Sequence, residues 1–310
     1  MDPQTVATLT QQFFNALTFG GIYALIALGY TMVYGIIELI NFAHGDVFMV
    51  GAFMSMTVIT SMGFNGAIHD PVTLLFVLVV AFGVTMPVMG LLGVGIERFA
   101  YRPLRNAPRL APLITAIGVS FILQNVIQII YGPSPQSTPQ IVPFTARFTL
   151  FGASIAWISV FIFFVTVALT VGLSLFVSRS RLGRAMRSTA QDREAAQLMG
   201  VNINTTIALT FFLGSALAGA AGVVYGMSIG TISFALGFSA GLKAFTAAVL
   251  GGIGNLTGAV LGGFIIGFVE VGAAQLGYAS WSEALVFAVL VLVLVFRPSG
   301  LLGQPLGERA

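Results

Sequence analysis

The stretch VTLLFVLVVAFGVTMPVMGLLGVGI, residues 72–96, decides the class of fold because it carries no charged side chain over its whole length. An α-helix needs about 20 apolar residues to cross the hydrocarbon core of a bilayer. A membrane β-strand instead alternates apolar and polar residues over about 10 positions. The uninterrupted run therefore predicts a transmembrane α-helix and argues against a glycine-rich β-barrel.

The rest of the chain has the same character. Of its 310 residues, 57% are hydrophobic and 7% are charged, whereas an average soluble domain is about 25% charged. One globular core cannot bury this much apolar surface, but a lipid bilayer can surround it. We therefore expect an all-α, polytopic transmembrane helical bundle that forms a single domain over residues 1–310.

Nine apolar segments are candidate spans, and two of them are less certain than the rest. The second begins with Asn41, His44 and Asp46, and the seventh contains Lys243 and several glycines. We expect eight or nine spans, with the seventh segment crossing as a broken helix. The nine segments are 12–35, 40–62, 72–97, 111–131, 150–178, 205–228, 235–253, 257–276 and 282–297.

Basic residues indicate the orientation, because loops on the cytoplasmic side are enriched in Lys and Arg. Arginines cluster at 97–109 and at 179–193, and Arg297 follows the last segment. The loop at 63–70 has no Lys or Arg, and the loop at 132–147 has one. We therefore expect the N-terminus outside and the C-terminus inside. The first segment is expected to be a retained span, since it lacks the features of a removable signal peptide.

Small residues recur every four positions in two segments, which predicts close contact between helix backbones. Ordinary packing is the first explanation, and an interface that slides during transport is the second. The first series is Gly214, Ala218, Gly222, Gly226 and Gly230, and the second is Gly254, Gly258 and Gly262.

Several kinds of chemistry are missing from the sequence. There is no cysteine, and the two histidines, His44 and His69, do not form a metal-binding motif. Lys243 is the one lysine and is followed by Ala244, so no phosphate-binding loop of the G-x-x-x-x-G-K-[ST] type is present. We expect no enzyme activity, no metal, no cofactor and no binding to nucleic acid. A transporter, a channel or a membrane scaffold remains.

The segment SRSRLGRAMRSTAQDREAAQLMG, residues 178–200, holds five of the 13 basic residues of the chain. Its second half predicts a short helix, with Asp192 and Glu194 near the start, where the helix dipole favours negative charge. Gly200 suits the left-handed conformation that ends many helices. On these grounds the segment is either a solvated cytoplasmic loop or a surface on which a partner docks.

The same residues resemble a known family. Glu194-Ala195-Ala196, followed by Gly200, resembles the coupling loop of ABC importer permeases. Four blocks that lie between residues 36 and 303 are similar to the branched-chain amino acid permeases of that class, and the length and the third block resemble their LivH-type subunit. The blocks are 38–46 (ELINFAHGD), 183–202, 243–263 and 297–303.

The resemblance implies a permease subunit of an ATP-driven importer in the bacterial inner membrane, with the fold of ABC importer permeases. It implies a second, LivM-type permease subunit, two cytoplasmic ATP-binding subunits and a periplasmic binding protein that delivers a branched-chain or related neutral amino acid. A permease for urea or short amides, and a gradient-driven secondary transporter or channel, stay open as alternatives. Within the coupling loop, 179–204, the implied ATPase-coupling residues are Gly183, Arg184, Asp192, Glu194, Ala195, Ala196 and Gly200.

Polar residues inside predicted spans are candidates for the translocation pathway, because they are costly in lipid and face a cavity or a partner. A structural hydrogen bond between helices is the more common explanation for each of them. We expect His44 to pair with Asp46 or to cap a broken helix, and Lys243 is a possible partner for Glu270. The candidates are Asn41, His44, Asp46, Gln124, Asn125, Gln128, Lys243, Thr246, Asn255 and Glu270.

Overall fold

A computed structural model of the protein describes residues 2–105, 107–108, 110–143 and 146–303. Arg109, which belongs to the first predicted arginine cluster, lies outside the described residues. Eleven α-helices account for most of the described chain: α1 Pro3–Ile37, α2 His44–Ser61, α3 Pro71–Ile96, α4 Leu110–Tyr131, α5 Trp157–Arg179, α6 Arg181–Gln191, α7 Arg193–Leu198, α8 Ile203–Ile229, α9 Leu236–Gly251, α10 Leu256–Gln275 and α11 Ser282–Phe296.

Short elements complete the fold. A π-helical turn at Glu97–Tyr101 and 3-10 turns at Arg102–Leu104 and Ala279–Trp281 extend or connect helices. Four strands form two antiparallel pairs, in which β1 pairs with β4 and β2 pairs with β3. The strands are β1 Gln136–Ser137, β2 Arg147–Leu150, β3 Ala153–Ala156 and β4 Thr231–Ile232.

The expected all-α, polytopic bundle is confirmed. Seven helical segments of the described chain are long and apolar enough to cross a membrane. Helix α2, which begins with His44 and contains Asp46, and helix α9, which has 16 residues, fall outside that set. The number of crossings and the orientation stay predictions.

Three predicted segments differ from the helices observed. The first is predicted at 12–35, but α1 extends from Pro3 to Ile37. The fifth predicted span begins at residue 150, but helix α5 begins at Trp157, because Phe151 and Gly152 adopt positive φ and turn the chain into the β2–β3 hairpin. The seventh predicted span is not broken, since α9 continues from Leu236 to Gly251 through Lys243. Its glycines serve packing, as Gly237 and Gly241 lie against Gly45 of α2.

Helix α1 is the centre of the bundle, because 89% of its most apolar 18-residue stretch is buried. It packs against α5, α8, α9 and α10. Small residues permit this: a Cβ on Gly20 would lie 2.8 Å from the backbone of Phe264, and a Cβ on Gly267 would lie 2.5 Å from the Gly20 nitrogen. The bundle therefore holds a long apolar helix on nearly all sides.

Part of each predicted series of small residues lies at a close helix contact, whereas a Cβ on Gly226 or Gly254 would lie no closer than 3.6 Å to a neighbouring atom. In the first series, Gly222 of α8 faces the backbone of Gly51 and Ala52 in α2, and in the second, Gly258 of α10 faces the backbone of Gly251 in α9. These positions leave no room for a side chain, which confirms the packing explanation. Sliding at these contacts stays a prediction.

Contacts between loops show which helix termini lie at the same end of the bundle. At one end, which we call the arginine-rich end, lie residues 36–38, 97–105, 179–204, 250–255 and 297–303. Leu301 donates its N–H to Leu250 O there (2.9 Å). At the opposite end, Ile68 donates to Ile141 O (2.8 Å) and Thr138 donates to Gly230 O (3.0 Å). The arginines of the two predicted clusters thus lie at one end of the bundle.

Replacing Gly222 by alanine is expected to destabilise the bundle. The added Cβ would lie 2.5 Å from Ala52 N and 2.8 Å from Phe48 O, and neither backbone atom can rotate away. Overpacking of this kind costs about 1–3 kcal/mol. The matched control is Gly172→Ala in α5, where a Cβ meets nothing within 4 Å. Thermal denaturation in detergent should show a lower midpoint for Gly222→Ala than for Gly172→Ala, and equal midpoints would contradict the packing argument.

Candidate functional site

The coupling loop folds into two short helices, α6 and α7, that meet at Asp192. Ser180 begins α6, because its hydroxyl accepts a hydrogen bond from the Gly183 N–H (2.8 Å). Asp192 has extended dihedral angles and begins α7, where its carboxylate accepts from the Ala195 N–H (2.9 Å). The break follows from this cap, since the capping residue of a helix has non-helical dihedral angles.

The end of α7 is fixed as well. Gly200 has φ +83°, the left-handed conformation that favours glycine. Its N–H donates to Gln197 O (3.0 Å), and the Val201 N–H donates to Ala196 O (3.0 Å). The predicted short helix from Asp192 to a glycine stop is therefore present.

Helix α7 has one buried and one exposed face. Ala196 is buried against the bundle, whereas Glu194 and Ala195 are exposed. After Gln197, the large apolar side chains of Leu198 and Met199 are 88% and 85% exposed. Two large apolar side chains and an acidic one are therefore exposed together on this polar segment.

Two other predicted coupling residues lie at the start of α6. Gly183 is buried, and a Cβ there would lie 2.6 Å from Phe176 O, so glycine lets α6 fold back on the end of α5. Arg184 is exposed, and its guanidinium donates to Arg179 O (3.4 Å). Gly183 therefore shapes the loop without presenting a side chain.

A second group of polar residues lies inside the bundle, around Asp46 in the first turn of α2. Asp46 is 1% exposed. Its Oδ2 accepts from the Ser120 hydroxyl (2.5 Å) and its Oδ1 accepts from the Gln124 amide (3.1 Å). Both donors lie near the middle of α4, so α2 begins in the interior of the bundle and not at its end.

His44 and Asn41 lie next to this group. The expected His44–Asp46 pair is not formed, because the imidazole points toward α1, where it packs edge-on against Tyr30 (4.7 Å between ring centroids) beside Gly29. Neither ring nitrogen has a hydrogen-bond partner among the described residues. Asn41 Oδ1 accepts from the Tyr101 hydroxyl (3.1 Å), whereas its Nδ2 has no partner in the same part of the chain.

The predicted partnership of Lys243 and Glu270 is confirmed. Lys243 Nζ lies 2.6 Å from Glu270 Oε1, and Glu283 Oε1 lies 3.9 Å from the same ammonium. The Tyr23 hydroxyl donates to Glu270 Oε2 (2.6 Å). This cluster joins α1, α9, α10 and α11 and is separate from the Asp46 group.

The remaining pathway candidates are not brought together. Thr246 is buried and donates to Leu242 O within α9 (2.9 Å). Asn255 begins α10 by accepting from the Gly258 N–H (3.0 Å), and it holds the C-terminal segment by donating to Leu302 O (2.8 Å). Asn125 donates to Phe121 O in its own helix (2.8 Å), and Gln128 is half-buried one turn beyond Gln124.

Sequence reasoning missed two features at the arginine-rich end. Glu97, fully buried, is bound by Arg102 (2.8 Å) and by Arg105, and Arg105 also donates to Asn204 Oδ1 at the start of α8 (2.6 Å). Arg193, the first residue of α7, donates to Ile36 O in the last turn of α1 (3.0 Å). An acid followed by arginines five and eight positions later signals the first contact, but no sequence signal gives the second.

Comparisons with known proteins agree with this architecture. A family model described as the permease component of branched-chain amino acid transport systems matches residues 12–294. The permease protein BraD of the high-affinity branched-chain amino acid transport system of Pseudomonas aeruginosa is 46% identical over 302 residues, with 96% of this chain and 97% of that protein covered.

The permease protein LivH of the corresponding Escherichia coli K12 system is 43% identical over 304 residues, with 96% and 97% covered. A probable LivH of Methanocaldococcus jannaschii is 30% identical over 219 residues, with 67% and 63% covered. No solved structure matches the chain. Because the family model and two full-length relatives agree, the chain belongs to the family of permease components of branched-chain amino acid transport systems.

Proposed function

We propose that this protein is the LivH-type permease subunit of an ATP-driven importer for branched-chain or related neutral amino acids. The names of its relatives support the substrate class. The seven apolar helical segments support a multi-pass membrane protein. The single lysine is not part of a phosphate-binding loop, which agrees with ATP hydrolysis on separate subunits.

The observation that carries the proposal is the exposed face of α7. A six-residue helix that is capped at both ends, and that presents Glu194, Leu198 and Met199 at the arginine-rich end, supports a docking surface for an ATP-binding subunit. Leu198 and Met199 are 88% and 85% exposed side by side, and adjacent exposed apolar side chains support a contact with a partner. Arginine content supports a cytoplasmic position for this end.

The Asp46 group supports a place on the translocation pathway. Asp46 is held by the neutral donors Ser120 and Gln124, and an amino acid in transit carries an ammonium group that a carboxylate attracts. The polar side chain of Gln128, one turn further along α4, is costly against lipid. This face of α4 and α2 is therefore assigned to the side that meets the LivM-type subunit.

The complete assembly in this proposal has five components. Two permease subunits share the bacterial inner membrane, two ATP-binding subunits dock on their coupling loops, and a periplasmic binding protein delivers the amino acid at the opposite end. The N-terminus lies outside and the C-terminus inside. The sorting of loops into two ends supports this orientation.

Uptake in proteoliposomes tests the function directly. The two permease subunits and the ATP-binding subunits are reconstituted, with loaded binding protein on one face and ATP on the other. We expect uptake of labelled leucine that requires ATP and is reduced by excess isoleucine or valine, but not by urea or short amides. Uptake that follows a proton or sodium gradient and ignores ATP would instead support a secondary transporter.

Replacing Gly200 by valine tests the docking surface. A side chain at φ +83° costs about 1–2 kcal/mol, which corresponds to about a 5- to 30-fold change in an equilibrium. We expect co-purification of the ATP-binding subunits to fall by that factor. Gly63→Val is the matched control, because Gly63 has φ +84° in open space at the opposite end. Equal losses for both variants would show a general folding defect and refute the assigned surface.

Replacing Asp46 by asparagine tests the pathway assignment. The amide has nearly the same shape but lacks the charge, so it loses the charge-assisted bonds to Ser120 and Gln124, which are about twice as strong as neutral ones. We expect ATP-dependent uptake to fall about tenfold while the complex still assembles. Asp70→Asn is the matched control, because Asp70 is the exposed cap of α3 and asparagine caps a helix about as well as aspartate. Wild-type uptake by Asp46→Asn would remove Asp46 from the pathway.

A further inference from the structure

Residues 38–43, which we call the α1–α2 link, connect the arginine-rich end to the interior of the bundle. The link begins after Ile37, where α1 ends beside α7, and it ends at His44, where α2 begins. Asp46, two residues further, already bonds to Ser120 and Gln124 in the middle of α4. Six non-helical residues therefore separate the proposed docking helix from the proposed pathway.

The start of the link is fastened to α7 by Arg193. Its Nη2 donates to Ile36 O (3.0 Å). The last four carbonyls of a helix lack an intrahelical donor. Arg193 therefore supplies a donor that α1 itself cannot, and the bond is charge-assisted. Arg193 directly follows Asp192, the cap of α7. A displacement of α7 therefore pulls directly on Ile36, two residues before the link begins.

The link itself has a backbone conformation that is unfavourable for its sequence. Glu38 has φ +56° and ψ +24°, the left-handed region that non-glycine residues rarely adopt. It lies at the point where α1 stops, and its N–H still donates to Tyr34 O (2.8 Å). Strained residues of this kind persist where the surrounding structure imposes them, and they are frequent in switching segments.

Buried polar atoms without partners are concentrated at the same place. Of the five such side-chain atoms in the described chain, three lie on the link or at the first residue of α2, namely Asn41 Nδ2 and the two ring nitrogens of His44. Buried polar groups are nearly always hydrogen-bonded, so an unsatisfied group calls for an explanation. A cavity of about 250 Å³, lined by Ile36–Leu39, Arg105 and Arg193, borders the link. The link thus has an unfavourable backbone conformation, polar atoms without partners at its end, and space into which it can move.

We propose that Arg193 is a positioning residue and that the α1–α2 link moves with α7, which displaces Asp46 relative to Ser120 and Gln124. The inference rests on the proposed function, because it takes α7 as the site where the ATP-binding subunit acts. It assigns the path by which that action reaches the middle of the membrane. Glycine contacts leave little room for bending within α1 or α2, so the link bends and the start of α2, with Asp46, moves as a rigid unit.

Substitution of Arg193 separates docking from transmission. Arg193→Met removes the donor to Ile36 O but leaves Asp192, Gly200 and the exposed face of α7 unchanged. We expect co-purification of the ATP-binding subunits and basal ATP hydrolysis to be retained, while uptake per ATP hydrolysed falls about tenfold, within the usual range of coupling between sites. Arg193→Lys, which keeps a charged donor, should restore most of the uptake. Arg181→Met, at an exposed arginine of α6, should behave as the wild type.

Two results of this experiment would overturn the proposal. Wild-type uptake by Arg193→Met would show that the bond to Ile36 is not needed. Loss of the ATP-binding subunits from Arg193→Met would make Arg193 a docking or folding residue instead. The proposed function fails in a different way, since the wild-type complex would then show no ATP-dependent uptake at all.

A distance measurement tests the movement itself. Because the chain has no cysteine, spin labels can be placed by two substitutions, Leu39→Cys on the link and Ile129→Cys on the exposed face of α4. We expect the distance between the labels to change between the nucleotide-free and the ATP-bound complex, and Arg193→Met to abolish that change. A distance that stays constant in the otherwise wild-type complex would refute a moving link.

Discussion

Direct contact between helix backbones is the constraint on which the rest of the structure depends. Lipid is as apolar as leucine, so the burial of apolar side chains does not drive membrane helices together. Close van der Waals contact does, and it requires glycine at the crossings, as at Gly20 with Gly267 and Gly51 with Gly222. Helices packed in this way resist bending. Conformational change is therefore left to the places where helices stop, such as residues 38–43 and Asp192.

The partners of the buried acids distinguish Asp46, the group proposed for the translocation pathway, from Glu97. Two buried acids are described. Glu97 is held by Arg102 and Arg105 at one end of the bundle, so its charge is neutralised. Asp46 is held only by the neutral donors Ser120 and Gln124. A carboxylate without a cationic partner in a low-dielectric interior attracts a cation more strongly than a paired one does. This difference in partners, and not depth in the bundle, distinguishes Asp46.

The sequence predicted features that depend on near neighbours. The apolar runs gave the helices, and the spacing of Asp192 and Gly200 gave the limits of α7. It missed contacts between distant segments, such as Asp46 with Ser120, 74 residues away, and Arg193 with Ile36, 157 residues away. Hydrophobic periodicity predicts little here, because helices surrounded by lipid and by other helices are apolar on all sides. The pairing of Lys243 with Glu270 was predictable only because so few charges were available.

The shortness of α7 explains why it is capped at both ends. A helix of six residues is not stable alone, since nucleation is unfavourable and few hydrogen bonds follow. Asp192 satisfies its first turn, Gly200 ends it, and Arg193 ties it to the last turn of α1. Under the proposed function, a helix held at its start, at its end and against the bundle transmits a push without unfolding. If α7 were held only by its own caps, the same force would be lost in tilting it.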